Sequence, residues 1–255
     1  MNKTALITGA TSGIGKAVAE KLAEEGYNII ITGRRKKRLD RLQKQISDNY
    51  KSRILPLCFD IRNYEEVQQN ISRIPDDLKP ADVLINNAGL AAGLDLFQEA
   101  DLQDWEQMID TNVKGFLYIS RLLTPEMVKR ESGHIINISS ISGKQTYSKG
   151  SVYCASKHAV ESLTRGMRLD MLPYGIRVSS VSPGLVETEF SEVRLKDKEK
   201  AKEVYRGYQP LKAQDIAETV AFILSRPPHV NINDITVMPT AQADAFHTHK
   251  KNEDE

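Results

Sequence analysis

Short apolar runs alternate with amphipathic stretches from the first residues of the chain onward. The runs at 4–8, 28–32, 54–59, 83–86, 134–139, 177–181 and 235–238 predict seven strands. Several are rich in Ile and Val without polar alternation, which is the pattern of parallel strands covered on both faces. Between them the spacing of apolar positions predicts helices over 15–25, 37–48, 64–74, 102–130, 152–171 and 214–225. Alternation this regular predicts an α/β fold with a doubly wound parallel sheet, in a single domain over residues 1–246. Neither an internal repeat nor a low-complexity linker interrupts it.

Two segments depart from the rhythm. Residues 183–210 are long and polar and carry a charged run at 194–200. Most of those charges fit a solvated surface helix, yet a segment placed after the sixth strand also reads as a substrate lid over 184–210. The tail at 247–255 is polar and ends in acidic residues, so it reads as flexible. His247 and His249 form an H-x-H pair without a third ligand, and no metal site is expected.

Composition narrows the function classes. The 255 residues carry a formal charge of +1, so neither a global basic excess for nucleic acid nor an acidic one for disorder is present. Cys58 and Cys154 are the only cysteines and lack metal-ligand spacing, which suits reduced thiols. The N-terminal apolar run is too short for a signal peptide, and no stretch approaches the ~18 apolar residues of a membrane span. The expectation is a soluble, cytoplasmic protein with no membrane or nucleic-acid partner.

Candidate chemistry gathers in three places. Thr8-Gly9-Ala10-Thr11-Ser12-Gly13-Ile14-Gly15 joins the first strand to the first helix, where glycines let a pyrophosphate approach backbone N–H groups. A P-loop is the competing cradle, but Ala17 stands where Ser or Thr should bind magnesium and Ala10 where the first glycine should be. After the second strand, where an acid would bond the 2′-hydroxyl of NAD, the chain has Arg34 and Arg35, followed by Arg38. Guanidinium groups there suit a 2′-phosphate and so NADP. Tyr153 and Lys157 are one helical turn apart, and Ser140 lies thirteen residues before the tyrosine. A nearby cation should lower a phenol pKa from ~10 toward the range of a general acid–base. Of the neighbouring serines, Ser140 is favoured by that spacing, and by the resemblance given below, over Ser139, which still belongs to the strand, and Ser142, which adjoins Gly143.

Together these motifs resemble the short-chain dehydrogenase/reductase family from about Thr4 to Met238. The glycine turn matches T-G-x-x-x-G-x-G, Asn86-Asn87-Ala88-Gly89 matches N-N-A-G, and Asn112, Ser140, Tyr153 and Lys157 match the catalytic tetrad. Ser182-Pro183-Gly184 with Thr188 matches P-G-x-x-x-T. The resemblance implies a Rossmann-type seven-stranded fold and NADP cofactor contacts from Gly9, Thr11, Ser12, Gly13, Ile14 and Gly15. It further implies Asp60 and Ile61 at adenine, Asn87 beside the adenosine ribose, Pro183, Gly184 and Thr188 at the nicotinamide end, and Ala88, Gly89 and Val186 as further cofactor contacts. Tyr153 would transfer the proton, Ser140 hold the substrate oxygen, and Lys157 steady the phenolate and bond the nicotinamide ribose. Asn112 would kink its helix and complete a proton relay. Relatives of this kind also imply a homotetramer.

A narrower resemblance, carried by residues 105–112, 189–194 and 229–233, is to the NADP-dependent 3-hydroxy acid dehydrogenases. It implies a small carboxylate-bearing substrate such as serine, allo-threonine or 3-hydroxypropionate. Arg194 is then the candidate for gripping the carboxylate, or else a solvated loop arginine. A 3-oxoacyl-carrier-protein reductase or broad carbonyl reductase is the alternative enzyme. A non-catalytic NADP sensor is the alternative class, although it would not require the tetrad.

Overall fold

The computed structural model describes residues 2–251. Its strands are β1 (Thr4–Ile7), β2 (Asn28–Gly33), β3 (Ile54–Cys58), β4 (Val83–Asn86), β5 (His134–Ile138), β6 (Arg177–Pro183), β7 (Val186–Glu187), β8 (Leu211–Lys212) and β9 (Asp234–Val237). The short β7 and β8 pair with each other. The other seven form one parallel sheet in the order β3-β2-β1-β4-β5-β6-β9. The helices are α1 (Gly13–Glu24), α2 (Lys36–Asn49), α3 (Tyr64–Ser72), α4 (Leu102–Ile109), α5 (Phe116–Lys129), α6 (Ser151–Met171), α7 (Phe190–Leu195), α8 (Lys198–Tyr205) and α9 (Ala213–Leu224).

The unalternating strand sequences have a direct cause: both sheet faces are covered. Ala5, Ile7, Ile29 and Ile31 pack against Val18 and Leu22 of α1, Leu39 of α2 and Val220 of α9. Leu6, Ile30, Leu84 and Ile135 face the other way, against Val67 of α3 and Ile119, Leu123 and Met127 of α5. Each fully buried aliphatic side chain contributes ~1.5–3 kcal/mol. Surface helix pairings add only a few tenths each, so this double-sided burial decides the sheet.

Strand order reverses between β1 and β4. The chain builds outward through β2 and β3, then returns to the far side of β1. The strand ends diverge there and leave a crevice at their carboxyl edge, where open α/β sheets take ligands. Both the glycine turn after β1 and Asn87 after β4 open into it.

Three segments differ from the sequence pattern. The helix expected over 102–130 is α4 and α5 joined by a turn of π-helix at Asp110–Gly115. A side chain at Gly115 would lie 2.8 Å from Ile61 Cγ2 and 3.1 Å from its carbonyl oxygen, so this turn approaches the end of the third βα unit closely. The charged run at 194–200 is a corner between two helices rather than one surface helix. Lys196 takes a left-handed φ of 53°, and Asp197 caps α8 by accepting from Glu199 N and Lys200 N. The tail, read as flexible from 247, is anchored as far as Lys251. Lys251 N donates to Gly207 O, Lys250 Nζ to Glu203 O and His249 N to Ala241 O. The remainder of that expectation, 252–255, lies outside the described residues. Among the described residues no helix is long and apolar enough to cross a membrane.

One buried histidine ties the centre of the sheet to acid stability. His134 Nε2 meets Ser179 Oγ at 2.9 Å, while Nδ1 is buried without a hydrogen-bond partner. Burial, with help from Arg177 and Lys3, pushes its pKa down to about 3. The unfolded chain therefore binds this proton first, and stability falls as pH drops from about 6.5 toward 3. Each pH unit in that window costs at most ~1.4 kcal/mol from this group. In urea titrations at pH 7 and pH 5, His134→Gln should lose less stability on acidification than the wild type. An equal loss would assign the acid sensitivity to other groups.

Candidate active site

The crevice is locked by side chains that satisfy the strand ends. Thr8 Oγ1 accepts from Asn87 N at 3.0 Å and Ala88 N at 2.9 Å. Asn87 Nδ2 donates back to Thr8 O at 2.9 Å and Gly9 O at 3.3 Å. Two glycines are required by this approach. Gly9 has φ of +68°, and a Cβ there would sit 2.8 Å from Ala88 Cα; one on Gly15 would sit 2.4 Å from Asn87 Nδ2 and 2.6 Å from Gly9 O. The N-terminus of α1 follows, with Ser12 making no side-chain cap bond and no acid in the first turn. A positive helix end beneath a turn too tight for side chains fits a pyrophosphate. Gly13 and Ile14 lie at that end.

The three arginines after β2 separate. Arg34 turns toward Asp60, 3.7 Å away, which Arg62 also grips through Nε and Nη2. Burial works to raise the Asp60 pKa, but Arg62 and then Arg34 hold it below the usual carboxylate range. Arg35 folds back over the glycine turn, donating to Thr11 Oγ1 at 2.6 Å and Ser12 Oγ at 2.7 Å. Its Nη1 pairs with Glu189 Oε2 at 3.0 Å, and Arg38 Nη1 reaches both oxygens of Glu189 at 2.7 and 2.6 Å. Two of the candidate cations thus meet a carboxylate from the far half of the chain. Ile61, the other candidate adenine contact, is buried beneath Gly115.

Asn112 lies in the π turn, where its amide is fully engaged. Oδ1 accepts from Leu90 N at 2.8 Å, and Nδ2 donates to Leu90 O at 2.8 Å and Ser156 Oγ at 2.9 Å. It joins the loop after β4 to the helix that bears Tyr153 and Lys157. At Gly89 a Cβ would stand 3.3 Å from Asn112 Oδ1 and 3.5 Å from Lys157 Nζ, so the two side chains converge on that backbone. Lys157 Nζ donates to Ile138 O at 3.0 Å. Burial pushes the Lys157 pKa down to about 8, with Glu161 one turn later opposing the fall.

The phenol corrects a sequence expectation. Tyr153 is buried, and burial followed by Tyr147 raises its pKa above the ordinary tyrosine value. A hydrogen bond with Ser140 and the Arg194 guanidinium pull the other way without prevailing. The expected lowering by Lys157 does not govern the phenol: desolvation outweighs the surrounding charges and favours the protonated side chain. Ser140 is buried and paired with Ser142. Its Oγ donates to Ser142 Oγ at 3.1 Å and accepts from Ser142 N at 3.1 Å. Ser139 Oγ points elsewhere, buried without a partner, 2.7 Å from where a Gly143 Cβ would lie.

The segment after β6 folds over this arrangement. Pro183 ends β6, and the backbone N of Leu185 donates to Gln242 Oε1 just beyond Gly184. Val186 enters β7, and Thr188 reaches the glycine turn at Gly13. Phe190 then lies 5.6 Å, centroid to centroid, from the Tyr153 ring. Arg194 is no solvated loop arginine. Its Nη1 donates to Tyr147 OH at 2.8 Å, and its guanidinium lies 5.4 Å from the Tyr147 ring and 5.6 Å from the Tyr153 ring. Gly93 N donates to Arg194 O, and Lys196 pairs with the buried Asp104, so the segment is fastened to the loop and helix opposite. Tyr153, Arg194, Trp105 and Met108 line the cleft enclosed there. Tyr147 and Glu189 carry no sequence signal of their own, although Glu189 falls inside the segment 189–194; Ser142, set aside in the sequence for adjoining Gly143, is the partner of Ser140.

Comparison with known proteins gives the same frame. A family model described as short chain dehydrogenase matches residues 3–199. A probable NADP-dependent dehydrogenase of Haemophilus influenzae is 48% identical over 94% of this chain and 94% of its own. An NADP-dependent 3-hydroxy acid dehydrogenase of Salmonella typhi is 42% identical over 93% of this chain and 95% of its own. Among solved structures, the closed form of a serine dehydrogenase complexed with NADP+ is similar with a TM-score of 0.90. It shares 39% identity over 97% of this chain and 100% of that one.

Proposed function

We propose a function from one premise, that the chain belongs to the short chain dehydrogenase family. It is an NADP-dependent oxidoreductase acting reversibly on a short 3-hydroxy acid of the serine, allo-threonine or 3-hydroxypropionate type, or on the corresponding 3-oxo compound. The names of its relatives support the cofactor and the substrate class. One observation carries the substrate class independently. The Arg194 guanidinium lies 5.6 Å from the centroid of the Tyr153 ring and lines the same cleft, so a cation stands beside the proposed proton donor where a substrate carboxylate would meet it. A guanidinium binds a carboxylate by paired charge-assisted hydrogen bonds.

When bound, NADP(H) supplies or accepts the hydride. Tyr153, kept protonated by burial, gives its proton to the substrate oxygen in reduction and recovers it in oxidation. Ser140, its Oγ held by the Ser142 N–H, turns its hydroxyl proton from Ser142 Oγ to the same oxygen as charge develops there. Lys157, charged below a pKa of about 8, steadies the phenolate. Asn112 keeps the loop after β4 and α6 in register. The glycine turn and α1 hold the pyrophosphate, and Arg35 and Arg38 with Arg34 the 2′-phosphate. Asp60 and Ile61 would meet adenine, Asn87 its ribose, and Pro183, Gly184 and Thr188 the nicotinamide end, with Ala88, Gly89 and Val186 as further cofactor contacts. The covered cleft favours a short acid over a long acyl thioester, which needs an open channel.

A homotetramer is the assembly this reading entails. Exposed apolar side chains support it: Tyr64 on α3 and Leu117 on α5 beside the half-buried Tyr118, Leu169 on α6, and Leu172 just beyond it. Light scattering should return four chain masses, and a monomeric mass would refute the assembly.

Tyr153→Phe should lower turnover about 10²–10⁴-fold while leaving NADPH binding in place, read by single-turnover kinetics and fluorescence titration. Near-normal turnover would remove the phenol from the chemistry. Arg194→Ala should raise KM for serine or 3-hydroxypropionate on the order of tenfold, the scale of one charge-assisted hydrogen bond. An uncharged alcohol should be little affected; an equal rise for both would make Arg194 a lid-packing residue.

A further inference from the structure

Glu189 stands apart from the machinery described so far. Its carboxylate lies between Arg35 and Arg38, which are 154 and 151 residues away in sequence, and takes three hydrogen bonds from them. The same Arg35 side chain reaches Thr11 and Ser12 of the glycine turn, so the trio sits at the adenosine end of the crevice. The first turn of α2 contains no acidic residue, leaving Glu189 as the anion these two guanidinium groups share. Hydrogen bonds from Arg38, and next from Arg35 against the opposing effect of burial, hold its carboxyl below the usual range, so it is charged at neutral pH.

We propose that Glu189 sets the affinity for the cofactor's 2′-phosphate by competing for the same donors of Arg35 and Arg38. The inference rests on the NADP reading above. A carboxylate brings one charge and two oxygens to the arginine pair, whereas a phosphate monoester brings nearly two charges and three acceptor oxygens. The phosphate therefore wins the exchange, but its net gain is reduced by the pairing it breaks. A dinucleotide without the 2′-phosphate displaces nothing and feels no such cost. Glu189 thus lowers NADP affinity selectively. Because it directly precedes α7, the exchange acts on the residue from which the covering segment starts.

The test uses fragments that carry the adenosine end alone. Calorimetric titration of wild type and Glu189→Gln with 2′,5′-ADP and with ADP separates the phosphate from the rest of the ligand. Glutamine keeps the shape and removes the charge. The variant should bind 2′,5′-ADP about five-fold tighter, the scale of one partly exposed charge pair, with the gain shrinking at high salt. ADP should bind both proteins equally. Unchanged or weaker binding of 2′,5′-ADP by the variant would overturn the proposal and make Glu189 a tether or a phosphate partner. The NADP reading is judged separately, by whether wild type prefers 2′,5′-ADP to ADP and Arg35→Ala with Arg38→Ala abolishes that preference. No preference in the wild type would defeat both.

Discussion

Thr8 and Asn87 bind one another across the ends of β1 and β4, and the site is organised around that closure. Strands diverge at this point, so their terminal backbone groups have lost the next partner in the ladder. The threonine hydroxyl and the asparagine amide supply it, with four hydrogen bonds between residues 8–9 and 87–88. Because buried backbone groups are costly to leave unpaired, the closure also dictates which residues can stand beside it. Gly9 and Gly15 are glycine because the asparagine loop occupies the space a side chain would need. The positive end of α1 is thereby held at the crevice rather than near it.

Burial, more than any single charge, tunes the chemical groups. It moves the Tyr153 phenol upward and the Lys157 ammonium downward, in each case toward the neutral form. The two shifts suit a reversible proton donor whose cationic neighbour is still charged at neutral pH. Charges then trim the result: Arg194 and Ser140 favour the phenolate, and Glu161 favours the lysine cation. The guanidinium proposed to grip the carboxylate thus also acts on the phenol proposed to transfer the proton.

The lines of pattern that depend on neighbours in sequence were readable. The seven strands, the strand–helix alternation and the glycine turn each follow from local periodicity or local backbone demands, and Tyr153 and Lys157 share a face because they are one helical turn apart; Asn112 joins them through the family resemblance alone. The helix at 102–130 was read as continuous because apolar spacing continues through it. Its π turn arises from Asn112 reaching Leu90 and from Gly115 lying against Ile61, both contacts with other segments. Arg34 and Arg35, adjacent in sequence, were read as a pair. Their side chains part because Asp60 lies on one side and the glycine turn on the other.

What the sequence determined by itself was therefore the inventory: which elements form, in what order, and which chemical groups stand at strand ends and on one helix face. Tertiary structure alone decided how those groups are used. Whether Tyr153 is an acid or a phenolate depends on desolvation by residues from several elements. Whether Arg194 is solvated depends on Tyr147 and Gly93, and which anion meets Arg35 and Arg38 depends on a residue some 150 positions away. Backbone preference and periodicity act over a few residues, whereas burial and charge act through space.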